Sequence, residues 1–270
     1  KKWMSYSTVE DCIKIPSAKK KKKPCIYVRG RNPKGLSQSE SDFIRVILDG
    51  KVAVSGNIMT LIDATGTSKK IPCAYCFYKL FSDNPCLTSA PQLPATTLKD
   101  YCYASMFERC QELYESAELP AKTLAEGCYA SMFMDCGNMR HVKPLPADKL
   151  APACYKSMFE NCISIATPQD RLPAIGAPAS CYENMYRGCE SITKAPFIAA
   201  PALQDHSCYG MFQGCQSLKH IKVALIQWGD GQTDSWVSGL PEEGQFECPN
   251  VLPEEFSNSR IPEGWEIVRY

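Results

Sequence analysis

The sequence contains no run of about 18 apolar residues, so no part of it is expected to cross a membrane as a helix. It has almost no net charge, with 30 basic against 29 acidic residues. This removes the general case for nucleic-acid binding, which shows as a strongly basic domain. Only three histidines occur, and no Ser-His-Asp arrangement, phosphate loop or zinc signature accompanies them. No catalytic residue, metal ligand or cofactor site is therefore expected, and an enzyme is the least favoured class. The opening stretch KKWMSYSTVEDC has no basic segment running into an apolar one, so no export signal is read in it. What remains is a chain of 270 residues, 44% hydrophobic, with ample material for a core and an unusual 16 cysteines.

Those cysteines mark a repeat. The segment CYASMFERC (102–110) returns as CYASMFMDC (128–136) and CYKSMFENC (154–162), with further copies starting at Cys181 and Cys208 and a degenerate one at Cys76. The steps are 26, 26, 26, 27 and 27 residues. A second landmark keeps time with the first: Leu-Pro-Ala recurs at 93–95, 119–121, 145–147 and 172–174. A period of about 20 to 29 residues is that of leucine-rich repeats. In one copy Cys102, Tyr103, Met106, Phe107 and Cys110 fall within an arc of about 140° at helical spacing, which predicts a helix of two turns with one buried face. Prolines 91, 144, 168 and 196 exclude helix from the second half of the unit, which is expected to be extended. Such a unit cannot bury its apolar face alone, so neighbours must share a core.

Eleven of the cysteines occupy the two repeat positions, and geometry favours packing over chemistry for them. Eight residues along a helix separate a pair by about 12 Å, and neighbouring helices by about 8 to 10 Å, both beyond disulfide reach. Buried thiols pack as small hydrophobes. Cys12 and Cys25 leave a bridge open, and the Cys73–Cys76 pair has redox or zinc half-site spacing without a second half. The oxidation state of Cys12, Cys25, Cys73, Cys86 and Cys248 stays open at this point.

The flanks do not repeat. Cys25–Gly30 reads as a strand, and 43–56 as two strands joined by a tight Asp49-Gly50 turn, giving a small β-rich N-terminal cap. Near the other end Trp228, Trp236, Phe246 and Trp265 read first as a cover for the last coil, with carbohydrate stacking as the alternative. The basic run Lys19–Lys23 reads as a solvated block, with sulfated glycan, anionic lipid or nucleic acid as the functional alternatives. Glu254 and Glu255 read as a surface turn.

If Leu87, Leu113, Met139, Ile165, Ile192 and Leu218 point inward, the residues alternating with them form an exposed strand face, the usual binding side of a repeat stack. The candidate ligand-binding residues are Tyr114, Glu115, Arg140, His141, Lys143, Lys194, Lys219, His220 and Lys222, with Thr167 and Gln169 between them. The face is mostly basic and suits an acidic protein surface or acidic glycan. His141 and His220 lie three repeats apart, too far to share a metal.

The motif Cys-Tyr-x-x-Met-Phe-x-x-Cys-x-x-Leu followed by Leu-Pro-Ala-x-x-Leu, here Cys102–Leu113 and Leu119–Leu124, resembles the BspA-like leucine-rich-repeat family of surface proteins of anaerobic bacteria. The flanks GNIMTLID (56–63) and FECPNVLPEEFSNSRIPEGWEIV (246–268) are similar too, so the resemblance covers roughly 56–270. Asn84 standing where other copies carry the second cysteine is also in keeping with that repeat, where this side chain caps backbone groups. The resemblance implies an exported cell-surface protein, often a lipoprotein of the outer membrane, engaged in adhesion and protein binding, with host extracellular-matrix proteins as the best-known targets. It implies no catalysis. The last copy, CYGMFQGC, is one residue short of the pattern, and FIAAPAL replaces the usual turn, so a change of curvature is expected near residue 200. The resulting expectation is an α/β repeat fold. It is a right-handed leucine-rich-repeat solenoid, with a short helix and a strand per coil, spanning 56–226 between a β-rich N-terminal cap (1–55) and a C-terminal cap (227–270). The chain is expected to be monomeric and to bind a protein or acidic glycan. A carbohydrate-binding accessory protein is the alternative function.

Overall fold

The computed structural model describes residues 25–270, so Cys12 and the Lys19–Lys23 run lie outside the described residues. Backbone hydrogen bonds show the repeat directly. In the copy around Cys102 the amides of Tyr103, Ser105, Phe107 and Arg109 donate to the carbonyls of Cys128, Ala130, Met132 and Met134 in the next copy. The amides between them, of Ala104, Met106, Glu108 and Cys110, donate three residues back to Tyr101, Tyr103, Ser105 and Phe107. Alternate amides thus serve the local turn and the neighbouring repeat, which leaves none of them orphaned.

This arrangement corrects the expected two-turn helix. Each copy is a chain of consecutive turns, and the only α-helix among the described residues is α1, Thr60–Asp63. Every fourth residue of the turn chain has positive φ, as at Tyr101, Ser105 and Arg109 and again at Gly127, Ser131 and Asp135. The left-handed region suits Gly, Asn, Asp and short polar residues, and these predominate at the sites: Ser157, Asn161, Ser180, Asn184, Gly188, Gly210 and Gly214. A helix would consume all its amides internally. The turn chain releases half of them to tie one repeat to the next.

The extended halves pair in short parallel segments: β1 (Val52–Ala53) with β2 (Leu87–Ser89), β3 (Arg171–Leu172) with β4 (Phe197–Ile198), and a sheet of β5 (His220–Lys222), β6 (Gln245–Cys248) and β7 (Glu266–Arg269). Isolated parallel bridges such as Thr123 to Lys149 and Ala177 to Leu203 continue the same pattern. The architecture is mostly non-helical and strand-rich, built of repeats joined in parallel. Among the described residues no helix is long and apolar enough to cross a membrane.

One core runs through all the copies. Phe81, Phe107, Phe133, Phe159, Tyr186 and Phe212 form a ladder with successive ring centroids 5.5–6.0 Å apart. A second ladder joins Phe77, Tyr103, Tyr129, Tyr155 and Tyr182 at 5.5–6.1 Å. Met106, Met132, Met158, Met185 and Met211 are fully buried beside them. Leu87, Leu113, Met139, Ile165, Ile192 and Leu218 all point inward and are wholly buried.

The repeat cysteines are free thiols inside this core. Cys110, Cys136, Cys162, Cys189 and Cys215 donate to the carbonyls of Phe81, Phe107, Phe133, Phe159 and Tyr186 at 3.0–3.1 Å. Each thiol therefore clasps the preceding copy. At Asn84 the carboxamide does this job with more bonds: Nδ2 donates to Val46 O (2.7 Å) and Phe81 O (2.9 Å), and Oδ1 accepts from Leu48 N (2.7 Å). The described cysteines Cys25, Cys73, Cys86 and Cys248 are free thiols as well.

Three sequence readings change. The segments 43–49 and 51–56 form no hairpin. They run on alongside the first repeat, with Val46 N bonded to Leu80 O and Val52 N to Cys86 O, so the β-rich cap reduces among the described residues to β1, contacts of the repeat kind and one antiparallel bridge from Arg31 to Asp63. Cys25–Gly30 form no strand. Gly30 and Asn32 instead bond the backbone of Thr60 and Ile62. In the last copy, Tyr182 N bonds to Ser207 O just as Tyr155 N bonds to Cys181 O. Ser207 therefore occupies the first-cysteine site and Cys208 the tyrosine site, which makes that step 26 residues and ends the second ladder at Tyr182.

The turn chain also continues past 227. His206, Cys208, Gly210, Phe212 and Gly214 donate to Gly231, Gln232, Asp234, Trp236 and Ser238, and positive φ recurs at Gly231, Ser235 and Gly239. Trp236 lies at the end of the phenylalanine ladder, 6.1 Å from Phe212.

Candidate ligand-binding face

The strand face is ordered by parallel register. Glu115, His141 and Thr167 pair in one row, and Lys194, His220 and Gln245 pair in another. Between Thr167 and Lys194 no bridge forms. One added residue lies in this stretch: Ile165 to Leu172 spans seven positions where Leu113–Leu119, Met139–Leu145 and Ile192–Ile198 span six. The copies are 27 apart at Ile165 and Ile192 but 26 apart again at the Arg171–Phe197 pair, so the extra residue lies between 165 and 171.

Of the candidate residues, Tyr114, Glu115, Arg140, His141, Lys194 and Lys219 are exposed, and Lys143, His220 and Lys222 are half-buried. The face is less basic than its composition suggested. Lys143 pairs with Glu115 at 2.5 Å. Lys222 and His220 both reach Glu247, at 2.8 and 2.5 Å. The hydrogen bond to Glu115 raises the Lys143 pKa, and the one to Glu247 raises that of Lys222. In return, bonds from Lys222 and then His220 hold the Glu247 carboxyl below the usual carboxylate range. Glu247 was not legible in the sequence, because it faces Lys222 only through the β5–β6 register. Lys222 also lies 4.7 Å above the Tyr270 ring. Arg140, Lys194 and Lys219 make no ion pair among the described residues, so they carry the free positive charge of the candidate set.

The register break opens a groove. Its larger part, about 690 Å³, is lined by Tyr114, Arg140, His141, Thr167 and Ser191 among others. His141 Nε2 lies 3.1 Å from the Tyr114 hydroxyl, and the two rings meet edge-on with centroids 4.9 Å apart. A second part of about 400 Å³ shares Val142 and Pro168 with the first and runs on to Gln169 and Arg171. Gln169, expected to face outward, is turned in and only 7% exposed. Its Oε1 accepts from the Tyr186 hydroxyl at 2.7 Å, while its buried Nε2 has no partner.

Three of the four terminal aromatics are committed to structure, and Trp228 is half-buried. Trp236, Phe246 and Trp265 are buried, and the indole N–H groups of Trp228, Trp236 and Trp265 donate to Pro253, Arg260 and Pro241 carbonyls at 2.8–2.9 Å. A buried ring cannot stack on a sugar. Among the described residues no group of three or more His, Cys, Asp or Glu side chains is placed to hold a metal ion. The Cys73 and Cys76 thiols are pushed up by burial, which keeps them protonated rather than nucleophilic. No protein-family model matches this chain, and no curated protein or solved structure matches it either.

Proposed function

We propose that the chain is a BspA-like leucine-rich-repeat protein, a right-handed solenoid exported to the surface of an anaerobic bacterium as a lipoprotein, that binds host or other extracellular macromolecules. Recognition is by shape and charge on the strand face, without bond chemistry. The repeat-to-repeat hydrogen bonds, the two aromatic ladders and the thiol clasps support the solenoid reading. The observation that carries the binding reading is the in-register row of Glu115, His141 and Thr167, flanked by exposed Arg140 and Tyr114 and bordered by a groove. Rigid backbone presents these side chains at fixed spacing, which lowers the ordering cost of binding.

The test is a binding screen of the purified chain against immobilised matrix proteins and acidic glycans, repeated with Arg140→Glu, Lys194→Glu and Lys219→Glu combined. These three are chosen because reversing a paired lysine would also disturb its carboxylate. Binding should fall by about tenfold or more in the triple variant and weaken as salt rises. Binding equal in the triple variant and indifferent to salt would exclude this face.

A further inference from the structure

We infer that the groove over the register break between Thr167 and Lys194 is a peptide-binding site, taking an extended segment with an acidic side chain at one end and apolar residues after it. This deepens the surface-binding reading and rests on it. Three independent features meet here. The row of parallel pairs from Glu115 through His141 to Thr167 is not continued to Lys194, and the groove lies along this end of the row, with Ser191 on its far side. Arg140 stands at one end without an ion-pair partner among the described residues, and a guanidinium seeks a carboxylate. Beyond it, Pro144, Pro168 and Pro173 line the groove together with Val142, Leu145, Asp170 and Arg171, and the prolines offer no backbone N–H of their own.

The third feature is Gln169. It lines the groove, is more than nine-tenths buried, and holds an amide Nε2 with no acceptor. A buried donor left unmade is costly, roughly 1–3 kcal/mol, unless something completes it. Its other end is fixed by Tyr186, and Tyr186 is the exception in its ladder: the equivalent positions are Phe81, Phe107, Phe133, Phe159 and Phe212. The one copy that gains a hydroxyl is the one whose hydroxyl orients Gln169 at the break. A peptide carbonyl is the acceptor that fits a lone amide donor between proline rings, and a carboxylate on the same peptide reaches Arg140. Each part of the groove, about 690 and about 400 Å³, has a volume in the range of about 300–1,000 Å³ in which ligand sites lie.

The experiment pans a random seven-residue phage-displayed peptide library against the purified chain and measures affinities of the enriched peptides by fluorescence anisotropy. Tyr186→Phe restores the residue of the other copies and so leaves the ladder intact, and Gln169→Met removes the donor at similar volume. Enriched peptides should carry Asp or Glu followed by apolar residues. They should lose about fivefold or more in each of these variants and in Arg140→Ala, and keep wild-type affinity in Lys122→Ala, an exposed lysine outside the candidate face. No enrichment over bare support, or affinities within twofold of wild type in both Tyr186→Phe and Gln169→Met, overturns the site. Matrix and glycan binding measured in parallel separates the two claims. If it is present in the wild type and unchanged in the Gln169 and Tyr186 variants, the surface reading stands and the groove site falls. If it is lacking in the wild type, the surface reading itself falls.

Discussion

Alkaline pH should unfold this protein at about pH 10, and the reason is the thiol stack. Ten cysteines lie between Cys102 and Cys215, and all are buried. Burial pushes Cys102, Cys110, Cys154, Cys162, Cys208 and Cys215 up to about 12 from an ordinary 9.0, and Cys128, Cys136, Cys181 and Cys189 well above 9.0. A thiol whose folded pKa is raised contributes stability that is present in full below its unfolded pKa near 9.0 and is lost as pH rises from there through about 12. At one pH unit above the unfolded value each thiol costs the folded state roughly 1 kcal/mol, so ten together cost on the order of 10 kcal/mol. That equals the whole stability of an ordinary domain, about 5–15 kcal/mol. The assay is circular dichroism under reducing conditions, with thiolate absorbance followed in the same sample from neutral pH upward. Secondary structure should be lost cooperatively at about pH 10, with thiolate appearing in the same transition. Thiolate rising near pH 9 while the dichroism holds would mean the thiols are accessible, and the shared-core reasoning would be wrong.

Asn84→Ala should cost about 2–3 kcal/mol in urea unfolding, since it strips the partners of the Leu48 amide and the Val46 carbonyl at once. Hydrogen exchange at Leu48 should accelerate in this variant, and an unchanged rate would show that Asn84 does not hold the 46–48 segment. Gly127→Ala should destabilise by about 1–3 kcal/mol, because the residue sits at φ +52 and an added Cβ would come within 2.2 Å of the Tyr101 ring. Ser131→Gly, at φ +50, should change stability by less than about 1 kcal/mol, as relief of the left-handed strain offsets glycine's entropy. Equal melting temperatures for both variants would contradict the turn-chain geometry.

The candidate face was partly legible. Exposure of Tyr114, Arg140 and His141 follows from alternation around Leu113 and Met139. The pairing of Lys143 with Glu115, and of His220 and Lys222 with Glu247, does not, because register across strands decides it. Gln169 was read outward because simple alternation cannot anticipate the residue added after Ile165. The seven-for-six spacing of Ile165–Leu172 was the available signal. The last copy was misaligned by one because the Cys-Tyr pair at 208–209 imitates the landmark. Ser207 could be recognised as its true start only from the hydrogen bonds.

By itself the sequence determined the period, the landmarks and the identity of the buried side chains, since a spacing of apolar residues at i, i+1, i+4, i+5 and i+8 requires one covered face whatever the backbone does. Only the tertiary structure decided between a helix and a chain of turns. Over nine residues, periods of 3.6 and 4 place the same side chains on the same face. What separates them is where alternate amides find their acceptors, and for Tyr103, Ser105, Phe107 and Arg109 those acceptors belong to the next repeat.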